Sequence, residues 1–373
     1  MAAPAARKDV AAQVRRLVTA ALRDPAGVAE LAPGELDLTL RLMRRAGLLG
    51  RLASRLGERG FPPALPRIAA DQLVSARVSV EARQRAARWE LDRLAWALEG
   101  AAVSPPVALK GCGYLLLGLP NAAGRSFADV DLLVPGRELP AVEARLRERG
   151  WQPTALSAYD ERYYRRWAHE LPPMTHAERE VEVDLHHAIL MTTARLAPDS
   201  ALLLGEARAV PGSRFRVLAP VDMVLHAMTH LMFGENLSDA LRELVDIDDL
   251  LRHFGRREPG FWQRFWPRAE QLDLARPAFY GLRYAGALLG TPIPAEVAAA
   301  SRAGAPPAAV LGLMDRLAPH ALFPAHPDFP LRRSALARTL LYVRAHWIRM
   351  PPAMLARHLG YKLYARTAQP RRA

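Results

Sequence analysis

The hydrophobic period changes twice along this chain, and that change bounds its architecture. Up to about residue 100, apolar side chains recur three and four apart, as in VAAQVRRLVTAAL and LDLTLRLMRRAGLLGRLASRL. That spacing lines one face of a helix. ADQLVSARVSVEARQRAARWELDRLAWALEG continues it until Pro105 and Pro106 break it. The apolar runs then shorten. VALKG, ADVDLLV, REVEVDLHHAIL and RFRVLAP read as strands, and GYLLLGL and VEARLRERG as helices. From Val221 the helical period returns in VDMVLHAMTHLMF and LSDALRELVDIDDLLRHF. The expectation is an α+β protein with a helical region over 1–100, an α/β core over 101–218, a helical domain over 219–328 and a basic helical tail over 329–373.

Charge narrows the partners. The formal net charge is +13, yet ten Arg or Lys and no Asp or Glu lie between Phe329 and Ala373. Only the tail therefore has the electrostatic signature of a surface for RNA, an anionic membrane or a partner protein. Its interleaved Leu, Tyr and Trp fit equally a helix packed on the body with Arg on its wet face. The single cysteine, Cys112, rules out an internal disulfide and fits a reducing compartment. With no signal-peptide pattern and no apolar run of membrane-spanning length, the expected location is cytoplasmic.

The chemistry concentrates in two alternating segments. In a strand, side chains two apart share a face. Asp129 and Asp131 of Phe127-Ala-Asp-Val-Asp-Leu-Leu-Val134 therefore point together, with Val130, Leu132 and Val134 on the other face. Two adjacent carboxylates resist ionising together unless a cation removes the repulsion, and magnesium takes hard oxygen ligands. In Glu180-Val-Glu-Val-Asp-Leu-His186, the side chains of Glu182, Asp184 and His186 share a face. Asp184 beside the first pair would complete a two-metal site able to activate an attacking oxygen and stabilise a leaving pyrophosphate. The competing reading puts Asp129 and Asp131 on the wet face of an edge strand. Asp246-Ile-Asp248 repeats the spacing inside a helical period, where residues two apart diverge by about 200°. That pair is expected not to form a clamp.

Leu109-Lys110-Gly111, then Arg125, then Asp129-Val-Asp131-Leu-Leu-Val134, then Val183-Asp184-Leu-His186 follow one another in an order that resembles the uncharacterised nucleotidyltransferase family of bacteria. That family belongs to the DNA polymerase β-type nucleotidyltransferase superfamily. The resemblance runs over roughly 30–360, through His226, His230, Arg242 and Asp246 to HWIRMPPAMLARHLGYK. It implies a small mixed sheet flanked by helices. It also implies transfer of a nucleotidyl group from an NTP, ATP included, to an unknown acceptor with Mg²⁺ or Mn²⁺. Asp129, Asp131 and Asp184 would hold metal, with Asp184 ligating the second ion or acting as base.

The same resemblance implies a nucleotide held at a glycine-containing helix start, here Lys110-Gly111-Cys112-Gly113, where backbone N–H groups suit phosphate. Gly111-Cys112 stands where the superfamily usually has Gly-Ser or Gly-Gly. Lys110, one of three lysines, would add a point charge. Arg125 and Ser126 suit phosphate or a plain surface loop. His186 suits substrate contact or a structural hydrogen bond. His226 and His230 share a helix face and suit packing or the cleft opposite the carboxylates. Arg242 and Asp246 most simply form an intrahelical pair. Tyr159 to Glu170 reads as an amphipathic surface helix. The alternative to an enzyme is an inactive nucleotidyltransferase-fold module that docks through residues 329–373.

Overall fold

The structure is a computed structural model that describes residues 4–360 apart from 59, 180, 235–236, 238–239 and 358–359. Glu180 and the tail residues 358–359 and 361–373 thus lie outside the described residues. Four helices open the chain: Pro4–Arg23, Pro33–Arg45, Leu49–Gly57 and the 31-residue Arg67–Ala97. Proline at the start of the second matches the ring's fixed φ and its missing donor at a helix N-terminus.

Seven strands follow: β1 (Val107–Ala108), β2 (Asp129–Leu133), β3 (Trp151–Pro153), β4 (Met174–His176), β5 (Glu182–His186), β6 (Arg208–Ala209) and β7 (Arg216–Val217). They form one mixed sheet in the order β3-β4-β5-β2-β1-β7-β6. β2 lies at its centre, parallel to β5 and antiparallel to β1. This position overturns the edge-strand reading of Asp129 and Asp131. The physical reason is burial: Val130, Leu132, Leu133 and Val134 are all fully buried. A strand apolar on both faces past its second carboxylate needs neighbours on both sides.

The segment Ala158–Trp167 is the expected helix, capped by Ser157, whose side chain accepts from the Asp160 N–H. Beyond the sheet, Pro220–Phe233 is buried almost all round. Ala240–Arg257 packs against it with Leu241, Leu244, Leu251 and Phe254 buried. The same helical core continues through Phe261–Gln271, Ala275–Tyr284 and Ala308–Leu322.

Arg332–Arg349 is a helix packed on the body. Arg338 donates to the carbonyls of Ala321 and Phe323, and Arg344 to that of Met232. Two of its arginines therefore turn inward and close open helix ends, whereas Arg332 and Arg333 remain exposed. Among the described residues no helix is long and apolar enough to cross a membrane.

Candidate active site

The parallel register of β2 and β5 sets Asp131 directly beside Asp184 and Asp129 beside Glu182. With period-2 alternation, these side chains leave the same face of the sheet. The Leu109 N–H donates to the Asp131 carbonyl at 3.0 Å, which fixes the end of β1 beside β2. The chain then turns into the helix Lys110–Leu117. Lys110 makes that turn at φ +43°, a left-handed conformation that costs a non-glycine residue about 1 kcal/mol. Its side chain offsets this: Nζ donates to Asp131 Oδ1 at 2.8 Å. Gly111 is required by space. A Cβ there would collide with the Arg125 guanidinium and the Phe127 ring.

A cleft of about 570 Å³ opens over these residues. Lys110, Gly111, Arg125, Ser126, Asp129, Asp131 and Asp184 line it. Cys112 and Gly113 do not. They lie one step round the helix, where Cys112 Sγ packs toward the Asp129 carbonyl and a Cβ on Gly113 would press on the Ala108 carbonyl. His186 is 1% exposed and stands behind Asp131, with Nε2 2.9 Å from Asp131 Oδ1. His226 is buried in helix packing, and His230 faces the cleft 3.2 Å from Glu243.

Arg125 is not on a plain surface loop. It is largely buried, its Nε donates to Asp246 Oδ2 at 3.0 Å, and its guanidinium lies over Tyr114 and Phe127. Asp246 is thus held from across the cleft. Asp248, two residues on, accepts from Arg252 and Thr291 in a separate cavity with Arg51 and Arg55. The two carboxylates diverge as the helix requires.

Charge divides the three strand aspartates. Burial alone would raise the Asp131 carboxyl, but the Lys110 ammonium and the His186 hydrogen bond outweigh it and hold it well below the usual range. Asp129 is raised, by burial and then by Asp131. Asp184 is pushed up to about 9, first by burial, then by the charges of Asp131, Glu170, Asp129 and Glu182. Its Oδ1 is buried with no hydrogen-bond partner. A buried acceptor left unpaired costs roughly 1–3 kcal/mol. Donor chemistry and geometry together fit a cation here. Ligand atoms of Asp131, Asp184 and His186 lie within 4.8 Å of one another, with Asp129 on the same wall.

Sequence reasoning missed Glu170 and His169, which also line the cleft. They sit in a stretch read as helix, but the helix stops at Trp167. Glu170 instead bridges to His186 in the extended β5 region. The signal was Pro172-Pro173: the residue before a proline is driven out of the helical region, so the helix had to end upstream.

The model of a family described as uncharacterised nucleotidyltransferase matches residues 33–290, which include all seven strands and the cleft's carboxylates. The chain belongs to that family. The match takes in the helical lead-in from Pro33 and ends at Gly290, before the helix Arg332–Arg349. No curated protein and no solved structure matches the chain. Membership of the uncharacterised nucleotidyltransferase family gives the general activity class, nucleotidyl transfer, at the level of the family.

Proposed function

We propose that the cleft transfers a nucleotidyl group from an NTP to an acceptor, with Asp129, Asp131 and Asp184 holding Mg²⁺ or Mn²⁺. The observation that carries this reading is Asp184: a buried, unpartnered carboxylate oxygen set beside Asp131 by a parallel register. When bound, the cation supplies charge neutralisation at the phosphates and activation of the attacking oxygen.

The cleft's own charge supports the same reading. Six carboxylates and only five Arg or Lys line it. Asp184, whose carboxyl is pushed up to about 9, ionises in that company only with a companion cation, which a triphosphate also needs. Lys110 keeps Asp131 ionised and pins its Oδ1 at the cleft wall. Arg125 is already neutralised by Asp246, which suits it to position a phosphate rather than to supply net charge.

In the transfer, the acceptor oxygen bonds to the α-phosphorus as the bond to the bridging oxygen breaks. Pyrophosphate departs, and the acceptor's hydroxyl proton leaves to solvent when Asp184 is a metal ligand, or to an ionised Asp184 when it is not. Positioning carries most of the rate in such chemistry.

The test is incubation with α-labelled NTPs and Mg²⁺, reading pyrophosphate release and label on protein, RNA or small acceptors. Wild type should turn over, and Asp129→Ala and Asp131→Ala should lose at least about 10²-fold, the scale of removing one preorganised charge contact. Equal turnover or labelling in all three proteins would remove the enzyme reading.

A further inference from the structure

We propose that His169, Glu170 and His186 form a second cation site, selective for a borderline transition metal such as Zn²⁺ or Co²⁺, which meets His186 at Nδ1, whereas Asp131 meets that ring at Nε2. The inference goes beyond nucleotidyl transfer and does not require it.

It starts from His186. Asp131 accepts at Oδ1 from Lys110 and therefore acts as an acceptor toward the imidazole, whose Nε2 lies 2.9 Å from that same oxygen. With Nε2 engaged by Asp131, Nδ1 is the ring nitrogen left for another group. That nitrogen is buried with no hydrogen-bond partner, on a side chain 1% exposed. It faces Glu170 Oε2 at 3.4 Å. A positive charge belongs between a ring nitrogen and a carboxylate oxygen so placed.

His169 supplies the third donor. Its Nε2 is 3.6 Å from the same Glu170 oxygen. Donor atoms of the three residues all lie within 4.8 Å of one another. Nitrogen and oxygen ligands at zinc distances on a tetrahedron stand about 3.3–3.4 Å apart, from bonds of about 2.0–2.1 Å. The two separations from Glu170 Oε2, 3.4 and 3.6 Å, match ligands of a shared metal better than hydrogen bonds. Two imidazoles and one carboxylate are the donor set that borderline metals take and that magnesium does not favour. A carboxylate behind the ligating imidazole, here Asp131, orients the ring for a metal on the opposite nitrogen.

The backbone holds the three in place. The His187 N–H donates to the His169 carbonyl at 2.9 Å, and the Leu171 N–H to the Leu185 carbonyl at 2.9 Å. The ligands thus sit on two clamped extended segments rather than on a loose loop. His169 and Glu170 also line the cleft, so a metal ion could reach them from solvent.

The experiment is a Co²⁺ titration of the metal-free full chain in a large excess of Mg²⁺, followed by visible ligand-field absorption and by bound-metal stoichiometry. Wild type should bind one Co²⁺ per chain with ligand-field bands. His169→Gln should lose the bands or weaken binding at least about 10-fold, and Asp129→Asn should keep them. Absence of bands in wild type would overturn the proposal. So would unchanged bands in His169→Gln, or bands lost in Asp129→Asn alone, which would put the metal among the aspartates. Circular dichroism in chelator checks folding. Should His169→Gln unfold, Glu170→Gln decides with the same readout.

Discussion

The same three-letter pattern, Asp-x-Asp, occurs twice in this chain and does two different things. On β2, Asp129 and Asp131 line one cleft together. On the helix Ala240–Arg257, Asp246 turns to Arg125 while Asp248 turns to Arg252 and Thr291. The residues are identical in type and spacing, and the backbone decides their fate. A two-residue step is a full pleat on a strand but a little over half a turn on a helix. On the strand, Lys110 satisfies Asp131, while burial and that neighbouring charge keep the Asp129 carboxyl raised, which suits a ligand. The helix pair satisfies its charges with protein cations, which suits packing.

Four substitutions sharpen or break that contrast. Asp246→Ala strips the partner from a buried guanidinium and should cost about 3–5 kcal/mol of stability by chemical denaturation. A loss under 1 kcal/mol would mean Arg125 finds water or another anion. Asp131→Ala should cost about 10²–10³-fold in turnover, roughly 3–4 kcal/mol of transition-state stabilisation. A thermal melt beside the rate assay separates lost chemistry from lost fold. Asp184→Asn should abolish turnover yet raise the stability of the cation-free protein by about 1–2 kcal/mol at pH 8, because it removes a carboxyl that burial keeps from ionising. Asp248→Ala, on a partly exposed ion pair, should cost no more than about 1 kcal/mol and leave turnover unchanged.

The Asp184 effect has a defined pH course. Its carboxyl titrates at about 9 when folded, against 3.8 for the free group. Between those values the folded chain binds more protons than the unfolded one, so stability falls as pH rises from about 4 to about 9. Denaturation midpoints of cation-free wild type should show that fall more steeply than Asp184→Asn. Parallel pH profiles would show that Asp184 is solvated and ordinary.

Much of this contrast was legible in the sequence. Period-2 alternation around Asp129, Asp131 and Asp184 marks strands, and the helical period around Asp246 marks the exception. The parallel register that sets Asp131 beside Asp184 could not be read, because pairing between segments some 50 residues apart leaves no local trace. Arg125 fell short for the same reason: its partner Asp246 is remote in sequence. Cys112 and Gly113 followed the phosphate-turn pattern, but helix geometry turns them toward the sheet and away from the cleft. Glu170 was hidden because its charge period blends with the helix before it, and only Pro172-Pro173 marks the break.

A crystal structure of the full chain grown with Mn²⁺ and a non-hydrolysable NTP tests the central claim most directly. The account predicts anomalous density for Mn²⁺ bound by oxygens of Asp129, Asp131 and Asp184, with the α-phosphate against it. Density elsewhere only, or an Asp184 oxygen still without a partner while nucleotide fills the cleft, would contradict it.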